Sequence, residues 1–476
     1  MSKEGKVSRR SFVLGGSRLV GAAGAMAALS ACAATPQVVE KVVKETVEVE
    51  KVVKETVVVE ATTAPRSAVV QILMPEFGEY YDQILVDTSD WFREDHPEVT
   101  FEWSFAQQHQ EKLLTQIASG LAPDITYVNY INGVSIAYRG VLLPMDEWFA
   151  AAGLSTDDFL YGVMHSYIWR GRAYAMPITY DAMGFYWNKN VYEEVGLDPE
   201  QPPRTIAELE AHSDKILLKD DAGNIQRIGY SPSSSTFVLF AFMRGGQFYD
   251  AENDLVTADD PPNVEDLEWE VAQVEKLDVD RMSSFWSAAP GYSSPGNPFT
   301  VNTQGLVYGG WWNADFYEKV EGLRYGFTNV PSLTGDPAEQ EKLFQPSWAV
   351  AVPQGAKEPE WAWRYIKYFT VDNGVECGLH AEQSCCYLPI VEEWIDRWVE
   401  EKMAGQIKEY GKEFFTNAML SARWWPAMPV AAMYNTEVSR AYDFAIHGQG
   451  TPAEVLAKTR ETVQAELDGV LAALGG

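Results

Sequence analysis

Strand and helix signals alternate along the body of the chain, and this alternation constrains the fold more than any other feature. Val69–Met74 is predicted as a strand, Tyr80–Arg93 as an amphipathic helix, and Val99–Trp103 as a second strand. A helix over Gln110–Ser119 and a strand over Ile125–Val128 follow. Strands that alternate with helices are typical of α/β proteins with mostly parallel sheets.

Two later helices are predicted from their first residues. Thr205 and Glu208 are three positions apart, as are Thr451 and Glu454, so in each pair the side chains can accept hydrogen bonds from each other's backbone N–H groups. Pro452 stands at a first helical position, where its missing N–H is tolerated. The last helix should run to about residue 474 and bury Val455, Thr459, Val463, Leu467 and either Val470 or Leu471.

The length and charge of the chain limit its function. At 476 residues it is too long for a single hydrophobic core, so at least two domains are expected. A hydrophobic content of 46% with 22% charged residues is typical of a soluble globular protein. The net charge of −31 repels phosphate backbones and anionic lipids, which argues against nucleic-acid binding and peripheral membrane binding.

Residues 1–31 have the layout of a signal peptide. Arg9 and Arg10 precede an apolar run that ends near Ala31 and is too short to span a bilayer. The paired arginines, with Phe12 close behind, resemble a twin-arginine export signal. The run ends in Leu-Ser-Ala-Cys32, which resembles the lipobox of bacterial lipoproteins and predicts lipidation of Cys32. The alternative is an ordinary signal peptide with an incidental cysteine.

Residues 32–66 are predicted to be a low-complexity stalk that follows the lipidated cysteine. The sequence VEKVVKETV occurs at 39–47 and again at 49–57, a period of ten residues. A self-associating coiled coil is the alternative, although it requires sustained heptads that a ten-residue period does not supply.

Enzyme and metal signatures are sparse. The nucleotide-binding motif GxxxxGK[ST], the zinc motif HExxH and the nucleophile motif GxSxG are absent, so we expect neither an enzyme nor a cofactor. Cys377, His380, Cys385 and Cys386 could hold a metal. Because exported proteins are exposed to oxidising conditions, we instead predict a disulfide from Cys377 to Cys385 or Cys386, and no metal site.

Six motifs resemble, in their order, those of family 1 extracellular solute-binding proteins, the maltose-binding-protein-like receptors of ABC importers. They are ASGLAPDITYVNY (118–130), RGVLLPMDEW (139–148), YAMPITYDAMGFYWNKNVYEEVGL (174–197), GGQFYD (245–250), GLVYGGWW (305–312) and WAVAVPQGAKEPEWAWRYIKYF (348–369). The resemblance covers nearly all of residues 67–476.

The resemblance implies an α/β fold of two discontinuous lobes that close on a ligand like a hinged trap. Lobe one would take residues 67–181 and 347–388, and lobe two residues 182–346 and 389–476. The strands that cross between the lobes are expected near 177–182 and 346–350.

Aromatic residues are the main indication in the sequence of a ligand-binding site. Trp311-Trp312 and Trp424-Trp425 are doublets in segments broken by Gly and Pro, where regular packing is not expected. A flat indole covers the apolar face of a sugar ring, and carboxylates accept hydrogen bonds from its hydroxyl groups. By resemblance to the family, the cleft would be lined by Glu76, Phe77, Tyr130, Asn132, Tyr180, Asp181, Trp311, Trp312, Trp348, Tyr387, Arg423 and Trp424.

The sequence therefore predicts a lipid-anchored, extracytoplasmic receptor on the outer face of the cytoplasmic membrane. It would act as a monomer, bind a mono- or oligosaccharide and deliver it to ABC permease subunits that work with a separate ATPase. One alternative keeps the fold and binds a polyol, a glycerophosphodiester or a peptide. Another is a secreted glycoside hydrolase or lyase, whose aromatic and acidic residues would look similar.

Overall fold

The structure is a computed structural model that describes residues 67–476, except 292–293, 295, 344, 404, 420–422 and 476. The predicted signal peptide, the lipidated Cys32 and the stalk lie outside the described residues. Within the described part of the chain, no helix combines the length and the apolar composition that crossing a bilayer requires.

The described residues form fourteen strands and seventeen α-helices. The strands are β1 (Ala68–Pro75), β2 (Val99–Ala106), β3 (Ile125–Asn129), β4 (Ile168–Trp169), β5 (Arg172–Ala173), β6 (Met176–Tyr180), β7 (Met183–Asn188), β8 (Leu218–Lys219), β9 (Ile225–Arg227), β10 (Tyr249–Asp250), β11 (Leu255–Val256), β12 (Leu306–Gly310), β13 (Tyr325–Thr328) and β14 (Ser347–Ala351). The helices are α1 (Glu79–Asp95), α2 (His109–Ala118), α3 (Gly133–Ala137), α4 (Asp146–Ala151), α5 (Tyr161–His165), α6 (Lys189–Glu194), α7 (Ile206–Ile216), α8 (Ser234–Met243), α9 (Pro261–Leu277), α10 (Val279–Ala288), α11 (Asn313–Tyr317), α12 (Pro359–Lys367), α13 (Gly374–His380), α14 (Leu388–Glu401), α15 (Lys408–Met419), α16 (Ala431–Ile446) and α17 (Pro452–Ala473).

The first sheet has five strands in the order β2-β1-β3-β14-β6. β1 pairs in parallel with β2 and β3, as the alternation of strands and helices predicts. β14 runs antiparallel to both β3 and β6, which corrects the expectation of a mostly parallel architecture. The reason is that β14 enters this sheet from a distant part of the chain, so the usual helical crossover between parallel strands does not apply to it.

The second sheet has three strands in the order β12-β7-β13, and both pairs are antiparallel. Its central strand, β7, follows β6 after only Asp181 and Ala182. The Asp181 N–H donates a hydrogen bond of 2.7 Å to the Pro346 carbonyl oxygen, directly before β14. The two segments that lead between the sheets therefore lie side by side, in the regions where the crossovers are predicted. The lobe boundaries themselves stay a prediction.

Helices surround both sheets and bury large aromatic side chains. The largest core cluster is built on the first sheet and extends through Trp394 and Trp398 of α14 to Tyr186 and Phe327 of the second sheet. A separate cluster joins α8, α9, α16 and α17, and includes Phe248, Trp425 and Tyr434. Hydrophobic burial thus holds each lobe together and also stabilises the junction between them.

The helix starts predicted from the two Thr/Glu pairs are confirmed, but their hydrogen bonds differ. At α17 the Thr451 hydroxyl accepts from the Glu454 N–H, and the Thr451 N–H donates to the Glu454 carboxylate. The predicted core residues Val455, Thr459, Val463 and Leu467 are buried, and both Val470 and Leu471 are half-buried against the same cluster.

At α7 only half of the predicted arrangement forms. The Thr205 hydroxyl accepts from the Glu208 N–H, but the Glu208 carboxylate accepts from the N–H of Arg204, one residue earlier. The Thr205 backbone instead forms an isolated parallel β-bridge with Ser332.

The predicted disulfide is not formed, because Cys377, Cys385 and Cys386 are all free, buried thiols. The thiols have other contacts: Asn373 Nδ2 donates to the Cys377 sulfur, and Cys385 and Cys386 donate to backbone carbonyl oxygens. Burial raises the pKa of Cys377 and of Cys385 to about 12, which disfavours the thiolate that oxidation requires.

His380 faces a carboxylate and an indole rather than the cysteines. Its Nε2 lies 3.1 Å from Asp87 Oδ2, and its ring packs on Trp91 with 4.5 Å between ring centres. Among the residues that the structure describes, no three His, Cys, Asp or Glu side chains are arranged to hold a metal ion.

Candidate functional site

Several predicted site residues meet at one edge of the first sheet. β1, β3 and β6 run in the same direction, so Phe77, Tyr130 and Asp181 follow strand ends that lie at the same edge. Trp348 is the second residue of the antiparallel strand β14 and therefore lies near this edge too. Its ring stands perpendicular to that of Phe77, with 5.5 Å between centres. The carboxyl edge of an open α/β sheet is where ligands usually bind.

Asp181 lies beside tyrosines from both lobes, and we call Tyr130, Asp181 and Tyr308 the hinge cluster. Tyr130 follows β3 in the first sheet and Tyr308 lies in β12 of the second. The Thr179 hydroxyl donates to Asp181 Oδ1 at 3.1 Å. Burial raises the pKa of Asp181 to about 7 and raises the pKa of both tyrosines above the ordinary range. The Asp181 charge adds to the rise for Tyr130, and Tyr130 followed by Asp181 adds to the rise for Tyr308. In its ionised form the Asp181 carboxylate can accept hydrogen bonds from ligand hydroxyl groups at the hinge.

An opening of about 680 Å³ lies between the two lobes, and we call it the interlobe cavity. This volume is in the range of ordinary small-molecule sites. The lining residues that fall in the predicted lobe one are His165, Ile168, Trp169 and Arg170, and those in the predicted lobe two are Phe242, Gln247, Phe248, Tyr249, Asp250, Ala251, Glu252, Asp254, Arg423, Trp424, Pro426 and Ala427.

The first-lobe wall of the interlobe cavity is a β-hairpin formed by β4 and β5. Ile168 pairs with Ala173 and Trp169 with Arg172, which leaves Arg170 and Gly171 as a two-residue turn. Both turn residues have positive φ values, 48° for Arg170 and 74° for Gly171, as the turns that match the twist of a hairpin require. The Arg170 guanidinium lies over the Trp169 ring at 5.4 Å, so the hairpin presents an indole and a cation together.

The second-lobe wall includes the hairpin of β10 and β11. Its loop is organised by Asp250, whose Oδ1 accepts from the N–H groups of Glu252 and Asn253. The Asn253 side-chain amide donates to Asp250 Oδ2 at 2.7 Å, and the Tyr249 hydroxyl donates to Asp254. Two of the acidic residues in this wall therefore use their carboxylates within their own loop.

The doublet Trp424-Trp425 divides between the interlobe cavity and the core. Trp424 is half-buried and packs across the lobes on His165, with 4.7 Å between ring centres, and on Tyr161 at 5.5 Å. Trp425 is 1% exposed, and its indole N–H donates to the Ala431 carbonyl oxygen. Arg423 and Trp424, both predicted from the sequence, thus line the interlobe cavity.

Two predicted ligand residues lie in the core instead, which corrects their placement in the cleft. Tyr180 is fully buried, and its ring faces Trp394 and Phe415. Trp311 is 6% exposed and packs on Trp398 with 4.5 Å between ring centres. Alternation along a strand explains Tyr180, because the last residue of β6 points to the face of the sheet that α14 covers.

The remaining predicted site residues have intermediate positions. Trp312 is half-buried directly before α11, and Asn132 is half-buried directly before α3. Tyr387 packs on Phe159, with 5.5 Å between ring centres, and Glu76 is exposed after β1. Contact of each of these residues with a ligand stays a prediction.

The first-lobe wall of the interlobe cavity was not predicted from the sequence. Trp169 and Arg170 lie in the segment Ile-Trp-Arg-Gly-Arg-Ala, 168–173. Arg-Gly between two short strand segments is a hairpin signal, since glycine adopts a positive φ at low cost. This signal could have identified the hairpin, but not that it faces Trp424, which is 254 positions further along the chain.

Together, two lobes, short crossing segments and a cavity between the lobes define a binding protein of the hinged type. The bacterial extracellular solute-binding protein family matches residues 72–375, more than half of the chain, and the protein belongs to this family. The family places the protein outside the cytoplasm.

Solved structures of solute-binding proteins share the two-lobed fold. The mannobiose-bound protein CpMnBP1 is 19% identical, with a TM-score of 0.70 over 84% of this chain and 100% of that chain. An ABC transporter solute-binding protein from Thermotoga lettingae, bound to α-D-tagatose, is 20% identical, with a TM-score of 0.67 over 84% of this chain and 100% of that chain.

Curated relatives include the sn-glycerol-3-phosphate-binding periplasmic protein UgpB of Yersinia pestis, which is 28% identical over 148 residues. That match covers 30% of this chain and 33% of the relative, so the chain spans about a third of the length of this relative.

Proposed function

We propose that the protein is a lipid-anchored receptor that binds a mono- or oligosaccharide in the interlobe cavity and delivers it to an ABC permease. The observation that carries this proposal is the pair of indole rings, Trp169 and Trp424, that line the cavity from opposite lobes. Indole rings cover the apolar faces of sugar rings, and Gln247, Glu252 and His165 offer polar atoms for the hydroxyl groups. The sugar ligands named for CpMnBP1 and the Thermotoga lettingae protein support the same class of ligand.

Closure around the ligand follows from the position of the cavity. A ligand that touches both Trp169 and Trp424 contacts both lobes only when they are close together. It therefore binds the closed form better than the open form and shifts the population toward closure. The hinge cluster lies where the chain passes between the sheets, and Asp181 there is a second candidate contact for sugar hydroxyl groups.

A thermal-shift screen of the purified full-length chain in detergent tests the ligand class. A panel of mono- and oligosaccharides that includes mannobiose and tagatose should raise the melting temperature for one sugar class, because a ligand of the folded form stabilises by RT ln(1 + [L]/Kd). Mass spectrometry after incubation should return the bound sugar unchanged. Cleaved sugar would support the hydrolase or lyase alternative, and no shift with any sugar would contradict the proposal.

Replacement of Trp424 by alanine should weaken sugar binding by about 5- to 150-fold. The reason is that burying a large apolar side chain against a ligand is worth roughly 1–3 kcal/mol. Calorimetric titration measures the change. Trp361→Ala serves as the matched control, since Trp361 is also a half-buried indole but packs on Phe92, outside the cavity. Equal affinity for the Trp424 variant and the wild type would place the ligand elsewhere.

Membrane anchoring depends on Cys32 in this proposal. Cys32→Ser should release essentially all of the protein from the membrane fraction, because the serine hydroxyl does not receive the diacylglycerol and residues 33–66 contain no apolar run of about 20 residues. Fractionation followed by a salt wash measures the release. Cys377→Ser is the control that keeps the anchor, and a serine variant at position 32 that stays with the membranes would contradict the lipobox assignment.

A further inference from the structure

Two arginines that line the interlobe cavity have no ion-pair or hydrogen-bond partner for their guanidinium groups among the described residues. Arg170 comes from the first lobe and Arg423 from the second, and neither makes an ion pair or a hydrogen bond to any residue that the structure describes. Arg172, two residues along the same hairpin, instead pairs with Asp146 at 3.4 Å. The chain has 68 acidic and 37 basic residues, so acidic partners for an arginine are abundant. Two guanidinium groups without such a partner at one opening therefore need an explanation.

The acidic residues of the same cavity do not supply the missing partners. Asp250 accepts three hydrogen bonds within its own loop. The hydrogen bond from the Asn253 side chain is the main cause that lowers the pKa of Asp250. Asp254 accepts from the Tyr249 hydroxyl. Glu252 alone among the three has a carboxylate without a hydrogen bond from a described residue. The two guanidinium groups are therefore hydrogen-bond donors without a bound acceptor in this lining, and a ligand can bring the acceptors.

We propose that the ligand of the interlobe cavity carries an anionic group, a carboxylate or a phosphate, that Arg170 and Arg423 bind together. This inference rests on the proposed function and narrows its substrate class to acidic or phosphorylated carbohydrates and polyols. Guanidinium groups bind such anions through paired, charge-assisted hydrogen bonds. Trp169 and Trp424 lie beside the two arginines in sequence and line the same cavity, so rings and cations can contact one ligand at the same time.

The arrangement also links the anion to closure. One arginine comes from each predicted lobe, so an anion that binds both guanidinium groups bridges the lobes and favours the closed form. A neutral sugar lacks this bridge. The alternative is that Arg170 forms an ion pair with Glu252 when the lobes close, in which case neutral ligands would benefit from Arg170 as much as anionic ones.

Three monosaccharides that differ only at carbon 6 test the inference: glucose, glucuronate and glucose 6-phosphate, with sn-glycerol 3-phosphate and digalacturonate as additional probes. Calorimetric titration of the full-length chain at low salt should show at least tenfold tighter binding of one anionic probe than of glucose. The preference should decrease as the salt concentration rises. Glucuronate or digalacturonate identifies a carboxylate as the source, and either phosphate identifies a phosphoryl group.

The arginine variants decide whether the anion binds at this site. Arg170→Gln and Arg423→Gln should each reduce the preference for the anionic probe about tenfold or more, while Arg172→Gln on the same hairpin should leave it unchanged. Binding of neutral sugars without an anionic preference would overturn the inference and leave the proposed function intact. Equal losses for neutral and anionic probes in Arg170→Gln would overturn it in favour of the ion pair. Binding of sn-glycerol 3-phosphate alone would keep the inference and overturn the sugar assignment, and binding of none of the probes overturns both.

Discussion

Replacing Trp394 with alanine should lower the free energy of unfolding by about 3–5 kcal/mol, the usual cost of removing a large aromatic side chain from a core. Trp394 in α14 is 0% exposed. It stacks on Trp398 with 5.3 Å between ring centres and meets the edge of Phe415 at 5.4 Å. The Cα of Gly378 approaches so closely that a methyl group there would lie 2.9 Å from the indole nitrogen, so the indole is tightly packed and its removal leaves a cavity. Urea denaturation measures the loss.

The control for this prediction is Phe444→Ala in α16. Phe444 is 42% exposed, so its removal should change the stability by no more than about 0.5 kcal/mol. Trp394 belongs to the core cluster that extends from the first sheet to the second, so its variant should destabilise both lobes in one transition. A loss below about 1 kcal/mol would show that this cluster does not hold the junction together.

The melting temperature of the protein should decrease as the pH rises from 5 to 9, and Glu270→Gln should reduce that decrease. Asp266 and Glu270 lie one turn apart in α9 and are fully buried. Burial raises the pKa of Asp266 to about 7, although Arg244 opposes the rise with a hydrogen bond of 2.7 Å. Burial, together with the Asp266 charge, raises the pKa of Glu270 well above its ordinary value. Tyr230 donates to Glu270 Oε1 at 2.8 Å.

The sign of the effect follows from these raised pKa values. Each carboxyl group gives its full stabilisation below its unfolded pKa near 4, where it is neutral in both states, and this stabilisation is lost as the pH rises through the folded pKa. For Asp266 this loss falls between its ordinary pKa of 3.8 and its raised pKa in the folded protein. Glutamine cannot ionise, so the Glu270 variant should melt at a higher temperature than the wild type at pH 9.

Thermal melts from pH 5 to 9 measure this difference. Glu268→Gln is the matched control, because Glu268 lies on the exposed side of the same helix and its removal should leave the slope unchanged. Burial also raises the pKa of Asp181 at the hinge to about 7. This carboxyl group adds to the same trend in the wild type and in the variant. A Glu270 variant with the wild-type slope would show that Glu270 does not ionise in this range.

The local elements were predictable because their signals lie within a few residues of each other. The strand β1 and the helix α1 extend only one or two residues beyond the predicted Val69–Met74 and Tyr80–Arg93. The start of α17 at Pro452 was predictable for the same reason, since Thr451 and Glu454 satisfy each other's backbone groups without help from the rest of the chain. By contrast, the antiparallel β14 pairs with strands more than 150 residues away, and nothing in its own sequence indicates that direction.

The candidate site was predictable only in part. A sequence pattern identifies aromatic doublets in irregular segments but does not distinguish Trp424, which faces the interlobe cavity, from Trp425, which is buried beside Tyr434. The same limit applies to Trp311, which the motif places in a Gly-rich segment and the fold buries against Trp398. The cysteines are a third case. An oxidising compartment favours a disulfide, whereas local burial raises the pKa of the Cys377 thiol and favours its protonated form.

The alternation of strands and helices, the acidic character of the chain and the order of the six family motifs can all be identified without the fold. Each of these depends on composition or on spacing along the chain, which folding does not change. Tertiary packing brings the Trp169–Arg170 hairpin to the same cavity as Arg423 and Trp424, and brings Asp181 near Tyr130 and Tyr308. These groups come from segments far apart in sequence, and their burial and unpaired hydrogen-bonding capacity exist only once hydrophobic packing has brought the two lobes together.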